Sequence, residues 1–145
     1  MKRVFFCIIF LFFISHPTAT AAEPVIGYVD IVRLQANGVL VAGWACQNKT
    51  PNSIKVRVFA GSSTGAIIWE GLADHAHESA VDRACQTTGI KHRYNIILAK
   101  VDAAAIAGKA IYVHGFDTQG NQSNRPLVNS GKFSIPNTIP FQLSE

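Results

Sequence analysis

The chain is poor in charge, in cysteine and in long apolar runs. Charged side chains make up 15% of its 145 residues, and it contains three cysteines. After residue 21, no apolar run approaches the roughly 20 residues that span a bilayer as a helix. The nine acidic residues are scattered singly, so the sequence places no pair of carboxylates for acid–base catalysis. We therefore expect a protein that is not embedded in a membrane, is not an enzyme and binds no cofactor.

The first 21 residues have the three-part pattern of a cleavable signal peptide. Lys2 and Arg3 precede an unbroken apolar run, Val4–Ile14, which is too short to span a bilayer. Ala19-Thr20-Ala21 follows as a small-x-small segment, which is typical of a cleavage site. We predict a signal peptide over residues 1–21 and export of the mature protein, which would be periplasmic or secreted.

Loss of the signal peptide also removes positive charge. The full chain has a formal net charge of +4, of which Lys2 and Arg3 contribute two units. Nucleic-acid-binding domains carry concentrated basic surface, and the mature sequence has little excess of basic residues. The charge therefore gives no support to a nucleic-acid partner.

Two cysteines remain in the mature chain, because Cys7 leaves with the signal peptide. An even number of cysteines in an exported protein indicates a disulfide, and two cysteines allow one connectivity. We predict the bond Cys46–Cys85, which would close a loop of about 40 residues and contribute roughly 4 kcal/mol. Two buried free thiols, or half of a metal site, are the alternatives.

Short segments with alternating polarity, separated by Gly, Asn and Pro turns, fill the rest of the sequence. Asn37-Gly38 lies between two such segments and is a strong β-hairpin signal. The pattern predicts an all-β fold, a single Ig-like antiparallel β-sandwich of about seven strands. We place this domain at residues 22–135, with its last strand over Leu127–Ile135, and predict an irregular tail at residues 136–145.

Trp44 lies two residues before Cys46, so the period of a strand puts both side chains on one face. Sandwich domains often pack a buried Trp against a disulfide that joins their two sheets. We therefore predict that Trp44 belongs to the structural core beside the disulfide. Stacking of Trp44 on a ligand is the alternative.

Several segments resemble known bacterial modules. The segments Gly43–Cys46, Ile54–Gly61, Glu78–Cys85 and His92–Tyr94 together resemble a β-sandwich module of bacterial secreted proteins, one that often accompanies carbohydrate-active or cell-surface proteins. The segment Ile111–Ser123 looks like a hairpin of bacterial Ig-like and fibronectin-like domains. That likeness implies a structural role for Asp117 as a turn cap, with positive φ supplied by Gly120 and Asn121. We also assign Tyr94 a structural role.

The functional prediction depends on a row of side chains on one strand. Alternation over Ile54–Ala60 puts Lys55, Arg57 and Phe59 on one face, which we expect to point outwards. A basic and aromatic row suits an anionic glycan or an acidic protein surface, and Trp69 and Arg93 are further candidates. A solvated strand edge, protected from aggregation by its charges, is the alternative.

Two segments contain residues that could bind a metal ion, but the indication is weak and we predict no metal site. His75 and His77 would share a metal ion in an extended segment if a third ligand joined them. The polar residues from Asp117 to Ser123 alternate like calcium ligands but lack the bidentate Glu of such loops. An exposed loop and a capped turn are the simpler interpretations.

Three hypotheses for the function follow. The first is an exported, non-catalytic binding module for an extracellular or envelope ligand, either a glycan or a protein. The second is a periplasmic inhibitor or immunity-type protein that blocks a partner enzyme through a loop, Asp74–Glu78 or Gly61–Gly65. The third is a small metal-dependent enzyme built around His75 and His77.

Overall fold

The computed structural model describes residues 23–88, 91–123 and 125–139. The predicted signal peptide, residues 1–21, lies outside the described residues, as does the end of the predicted tail. None of the helices in the described ranges is long and apolar enough to cross a membrane. The described residues form seven strands and two short helices: β1 (Val25–Gln35), β2 (Gly38–Gln47), β3 (Lys55–Ala60), β4 (Ala66–Leu72), β5 (His75–Ala76), α1 (Ser79–Cys85), β6 (Lys91–Ala99), α2 (Lys100–Ala105) and β7 (Ile111–Gly115).

The seven strands form two antiparallel sheets. The first sheet has the strand order β1-β2-β6-β5, and the second has the order β4-β3-β7. When β4 is lettered C′, as in immunoglobulin domains with an added strand, and the other strands are lettered A to F along the chain, the first sheet has the order A-B-E-D and the second has the order C′-C-F. The prediction of an all-β, Ig-like sandwich with about seven strands is confirmed.

The β1–β2 hairpin turns where its sequence signal predicts. Ala36 and Asn37 form the turn, and Gly38 begins β2. A Cβ atom at Gly38 would overlap the backbone oxygen of Leu98 on β6, so the position requires glycine. Further along the hairpin, the pairing register shifts by one residue, because Asp30 is an extra residue of β1 that forms a β-bulge.

The core lies between the sheets. On β6, alternate residues from His92 to Leu98 are buried, as their spacing predicts. Tyr94 is fully buried, and its hydroxyl donates a hydrogen bond of 2.8 Å to the backbone oxygen of Tyr28. Burial raises the pKa of Tyr94 far above its ordinary value. The main core includes Val29, Val39, Val41, Ala45, Val56, Val58, Tyr94, Ile96, Ile111 and Val113.

The predicted disulfide Cys46–Cys85 is present, with its Cα atoms 6.1 Å apart. It does not join the two sheets. Cys46 points to the outer face of the first sheet, the face turned away from the second sheet, and Cys85 ends α1. The bond therefore fastens α1 to β2.

Trp44 packs beside this disulfide as predicted, but it is not part of the main core. It is half-buried and contacts the small outer cluster that Cys46, Val81 and Cys85 form. The prediction that Trp44 belongs to the structural core therefore holds for this small outer cluster and not for the main core. The cause is the outer position of the disulfide, which one short helix covers instead of a second sheet.

The predicted last strand over Leu127–Ile135 is also wrong. Within this segment, Val128 makes an isolated parallel bridge to Tyr28 on β1, while other residues bond to β7 in the second sheet. Turns interrupt it, because Asn129 and Gly131 have φ values of 67° and 78°. The segment thus crosses from one sheet to the other. In the predicted tail, residues 136–139 have no regular structure, although Ile139 is buried in the core.

Candidate functional site

Two aromatic side chains, Tyr28 and Trp44, lie next to each other on the outer face of the first sheet. The hairpin register places them directly opposite each other. Their ring centroids are 5.4 Å apart and their planes are inclined by 27°, which is a stacked arrangement. Tyr28 is 41% exposed and Trp44 is half-buried. The pair therefore presents aromatic surface to solvent.

The scaffold fixes both members of this pair. Trp44 rests on the Cys46–Cys85 cluster, and the backbone of Tyr28 accepts the hydrogen bond from the buried Tyr94 hydroxyl. Gly43, next to Trp44, lets these groups approach closely, because a Cβ atom there would overlap both the Tyr28 oxygen and the Tyr94 hydroxyl. Buried contacts thus fix the Trp44 side chain and the backbone of Tyr28.

Val128 extends the aromatic pair beyond the edge of β1. The amide of Val29 donates to the Val128 oxygen at 2.9 Å, and the Val128 amide donates to the Gly27 oxygen at 3.0 Å. In such a parallel bridge, Val128 lies beside Tyr28, and it is 48% exposed. These hydrogen bonds also close the edge of β1 at this point against another strand.

An open groove of about 740 Å³ runs along this surface. We call it the Tyr28–Trp44 groove. The beginning of the described chain and of β1, residues 23–28, lines one part of it, and residues 121–123 and 125–128 line another. Trp44, Ala84 and Asp117 also contribute to its lining. Apolar surface thus lies next to polar side chains from the loop of residues 117–123 and 125–128.

Hydrogen bonds within residues 117–121 hold this part of the loop in shape. Asp117 Oδ1 accepts from the amides of Gln119 and Asn121 at 2.9 and 2.8 Å, and Oδ2 accepts from Asn121 Nδ2 at 2.9 Å. The bond from the Asn121 side chain is the main reason that the pKa of Asp117 lies below its usual value. Gly120 has the positive φ that the resemblance implies, 89°, and Asn121 does not.

Gln47 connects this loop to the start of the described chain. Its Nε2 donates to the Glu23 backbone oxygen at 3.2 Å, and its Oε1 accepts from the Thr118 amide at 2.9 Å. Gln47 is 5% exposed, so the two bonds are shielded from water. One buried side chain therefore joins the start of the described chain to the loop that follows Phe116.

Arg93 stands beside Trp44, on the next strand of the sheet. Its Nε and Nη2 donate to both carboxylate oxygens of Glu78 at 2.9 and 2.5 Å, and its Nη1 donates to Asp30 at 2.7 Å. This bidentate pair holds the pKa of Glu78 at about 2 and raises that of Arg93. Arg93, a predicted binding residue, is thus already engaged by two carboxylates.

The predicted binding row on β3 is not an open surface. Glu70 of β4 forms ion pairs with both Lys55 and Arg57, and the Arg57 hydrogen bond is the main cause of its lowered pKa. The Arg57 guanidinium also lies 4.8 Å from the centre of the Phe116 ring. Both cations therefore have partners within the same sheet.

Phe59 is 6% exposed, so the prediction that it points into solvent is wrong. Its side chain shares the outer face with Arg57, but β3 is the central strand of its sheet. On the neighbouring strand β7, Tyr112 pairs with Phe59, and the His114 ring meets the Phe59 ring edge-on at 5.6 Å. These neighbours cover the ring that the alternation of one strand places outside.

Trp69, the other predicted aromatic candidate, packs towards the core. It pairs with Val58 across the β3–β4 ladder and is half-buried against the main core. Its ring lies over Gly71, where a Cβ atom would collide with it. This arrangement favours the packing role over the binding role.

The two weak metal candidates have different surroundings. The His75 side chain is 52% exposed beside Asp74, whereas that of His77 is 1% exposed. His77 Nε2 lies 2.8 Å from Asp82 Oδ1, and its ring stacks on His92 at 5.0 Å. Within the described ranges, no three His, Cys, Asp or Glu side chains are grouped as metal ligands.

His92 is a buried histidine with few polar contacts. It is 0% exposed, and neither of its ring nitrogens has a hydrogen-bond partner among the described residues. Burial lowers its pKa below the ordinary value, which keeps the ring neutral. It is therefore part of the packing at the end of the first sheet.

The turn Gly61–Gly65 has the letters of the G-x-S-x-G motif, with Ser63 at the serine position. In hydrolases, that serine lies on a sharp turn from a strand into a helix. Here the segment joins the antiparallel strands β3 and β4, and no helix follows it directly. The segment is a hairpin loop and does not build a nucleophile elbow.

Neither a family model, a curated protein nor a solved structure matches the chain. The resemblance to bacterial secreted modules stays a prediction. The sequence does not single out Tyr28, Gln122 or Arg125, and the hairpin signal alone would pair Trp44 with Val29 instead of Tyr28.

Proposed function

We propose that the mature protein is an exported, non-catalytic binding module whose ligand occupies the Tyr28–Trp44 groove. The observation that carries the proposal is the stacked, partly exposed aromatic pair inside this groove. A volume of about 740 Å³ falls in the range of small-ligand sites. Apolar and aromatic lining with a few polar groups at its side is also typical of such sites.

The rigidity of the surface supports the same conclusion. The disulfide cluster, the Tyr94 hydrogen bond and the Gln47 contacts fix the parts of the groove that face a ligand. Binding costs less conformational entropy when the contacting side chains are already ordered. A preformed aromatic surface is therefore an efficient place for recognition.

The disulfide supports the exported location. Disulfides persist in oxidising compartments and are rare in the cytosol. Cys46–Cys85 is fully buried under α1. This bond and the signal-peptide pattern together favour a periplasmic or secreted protein that meets extracellular or envelope ligands.

The fluorescence of Trp44 can be used to detect ligand binding. A Trp69→Phe variant leaves Trp44 as the one tryptophan in the chain, since the sequence contains two. We expect its fluorescence to change when the protein is titrated with an extract of the host envelope and culture medium. Tyr28→Ala in the same background should abolish the change, and the matched control Lys55→Ala/Arg57→Ala should retain it.

The inhibitor hypothesis makes a different prediction in this experiment. Glu78 is held by Arg93 and the His77 ring is buried, so Asp74–Glu78 is not a freely presented loop. Gly61–Gly65 remains as the loop for blocking a partner. In one outcome, the protein captures one enzyme, and this capture persists in Tyr28→Ala but is lost on substitution within Gly61–Gly65. That result would replace the groove proposal with the inhibitor hypothesis.

A further inference from the structure

We infer that the ligand of the Tyr28–Trp44 groove is a saccharide, with a sugar ring stacked on Tyr28. The inference rests on the proposed function and adds the chemical class of the ligand. It comes from three features of the groove: an accessible aromatic face, uncommitted polar side chains beside it, and a closed strand edge.

The accessible aromatic surface matches the apolar face of a pyranose ring. Sugar rings present faces of polarised C–H groups, and the face of an aromatic ring carries the negative part of its quadrupole. Tyr28 offers such a surface at 41% exposure, with Val128 beside it at 48%. The stacked Trp44 behind Tyr28 keeps the ring from turning away.

Polar side chains on the loop match the hydroxyl groups at the rim of a sugar. Gln122 and Arg125 line the groove and are exposed. Within the described residues, neither side chain has a hydrogen bond or an ion pair. An amide offers both donors and acceptors, and a guanidinium offers five donors. Together they can satisfy hydroxyl oxygens, or the carboxylate of an acidic sugar.

The two carboxylates that line the groove already have partners. The Asp117 carboxylate is used within its own loop, and Glu23 pairs with Lys49 at 2.8 Å. Repulsion of an acidic sugar by these carboxylates is therefore reduced. Arg125 can accept a neutral or an acidic sugar, and defined oligosaccharides separate the two.

The closed strand edge disfavours an extended peptide as the ligand. Peptides that add to a sheet need free amides and carbonyls along its edge. Beside Tyr28, the Val29 amide and the Gly27 oxygen are both bonded to Val128. A ligand here must be held by side chains, which is the way that rigid, hydroxyl-rich rings are bound.

The first arm of the test treats the extract before titration into the Trp69→Phe reporter. Periodate cleaves vicinal diols and destroys sugars, whereas protease destroys protein ligands. We expect the Trp44 response to be lost after periodate and kept after protease. The opposite pattern would overturn the saccharide inference and leave the proposed binding module in place. The absence of any response to the untreated extract would overturn both.

The second arm uses an array of neutral and acidic oligosaccharides, followed by calorimetry on those that bind. Tyr28→Ala should weaken binding at least about tenfold, because stacking of a ring on an aromatic face contributes on this scale. Tyr28→Phe keeps the ring and should stay within about threefold of wild type. Arg125→Ala should weaken acidic sugars more than neutral ones.

Thermal unfolding shows that each variant is folded before its binding is measured. The Lys55→Ala/Arg57→Ala protein is the matched surface control and should bind like wild type. Sugar binding that survives Tyr28→Ala but is lost in the control would overturn the inference. The inference would also be overturned if no oligosaccharide on the array binds and protease treatment of the extract abolishes the Trp44 response.

Discussion

Replacing both cysteines of the Cys46–Cys85 bond by serine should strongly destabilise the protein. The two residues are 39 positions apart, and closing a loop of about 40 residues lowers the free energy of the folded chain relative to the unfolded one by roughly 4 kcal/mol on the chain-entropy model. Typical domains have unfolding free energies of about 5–15 kcal/mol. The substitution would therefore remove a large share of the total.

The structure adds a local consequence. The bond attaches α1 to the outer face of the first sheet, where it covers part of Trp44 and none of the main core. We expect the core sandwich to keep its β-sheet circular dichroism at low temperature, while Trp44 becomes more accessible to a fluorescence quencher. The matched comparison is the wild-type protein, oxidised and after reduction.

Urea unfolding, followed by Trp fluorescence, measures the free energy of unfolding of both proteins. For a domain of this length, 4 kcal/mol corresponds to a fall in Tm of about 15 °C, given about 2.1 cal/mol/K of unfolding entropy per residue. A loss below about 1 kcal/mol, with a normal m-value, would refute the entropic reasoning.

Three further predictions concern residues of the first sheet that are buried or closely packed. Tyr94→Phe removes the hydrogen bond to the Tyr28 backbone oxygen. It should lower the free energy of unfolding, measured in urea, by about 1–3 kcal/mol. An unchanged free energy of unfolding would contradict that hydrogen bond. Gly43→Ala forces a Cβ atom against the Tyr28 oxygen. We expect the free energy of unfolding to fall by about 1–3 kcal/mol and ligand binding to weaken. Wild-type stability and binding would show that the close approach is absent. Burial depresses the pKa of His92 in the folded state, so below pH 6.5 the unfolded chain takes up a proton first. Stability should therefore fall by up to about 1.4 kcal/mol per pH unit as the pH drops below about 6.5, until the folded state also takes up the proton. His92→Leu should flatten this slope, and an equal slope in the variant would assign it to another group.

The sequence predicts the hairpin well but not its register at the site. If the two strands paired regularly from the two-residue turn at Ala36-Asn37, Trp44 would lie opposite Val29. The bulge at Asp30 shifts the pairing by one residue and brings Tyr28 opposite Trp44. A bulge places one extra residue in one strand of a pair, and here that residue, Asp30, is bound by Arg93 from β6. Such a contact is not visible in the sequence of the hairpin.

The sequence predicts on which face of a strand a side chain lies better than it predicts whether that side chain is exposed. Alternation on β3 correctly groups Phe59 with Arg57, but burial depends on what covers that face. The cover comes from β7, more than 50 residues further along the chain. In the same way, the two cysteines predict their bond, whereas its outer position depends on α1 lying over the first sheet.

Ligand-induced chemical shifts of the labelled protein test the central claim most directly. The oligosaccharide that binds best, or the active extract fraction, is added to protein with ¹⁵N-labelled backbone and indole groups. We predict the largest shifts at Tyr28, the Trp44 indole, Gln122 and Arg125, with little change at Lys55 or Arg57. Largest shifts on the Lys55–Arg57 face or in Gly61–Gly65 would contradict the assignment of the binding site to the Tyr28–Trp44 groove.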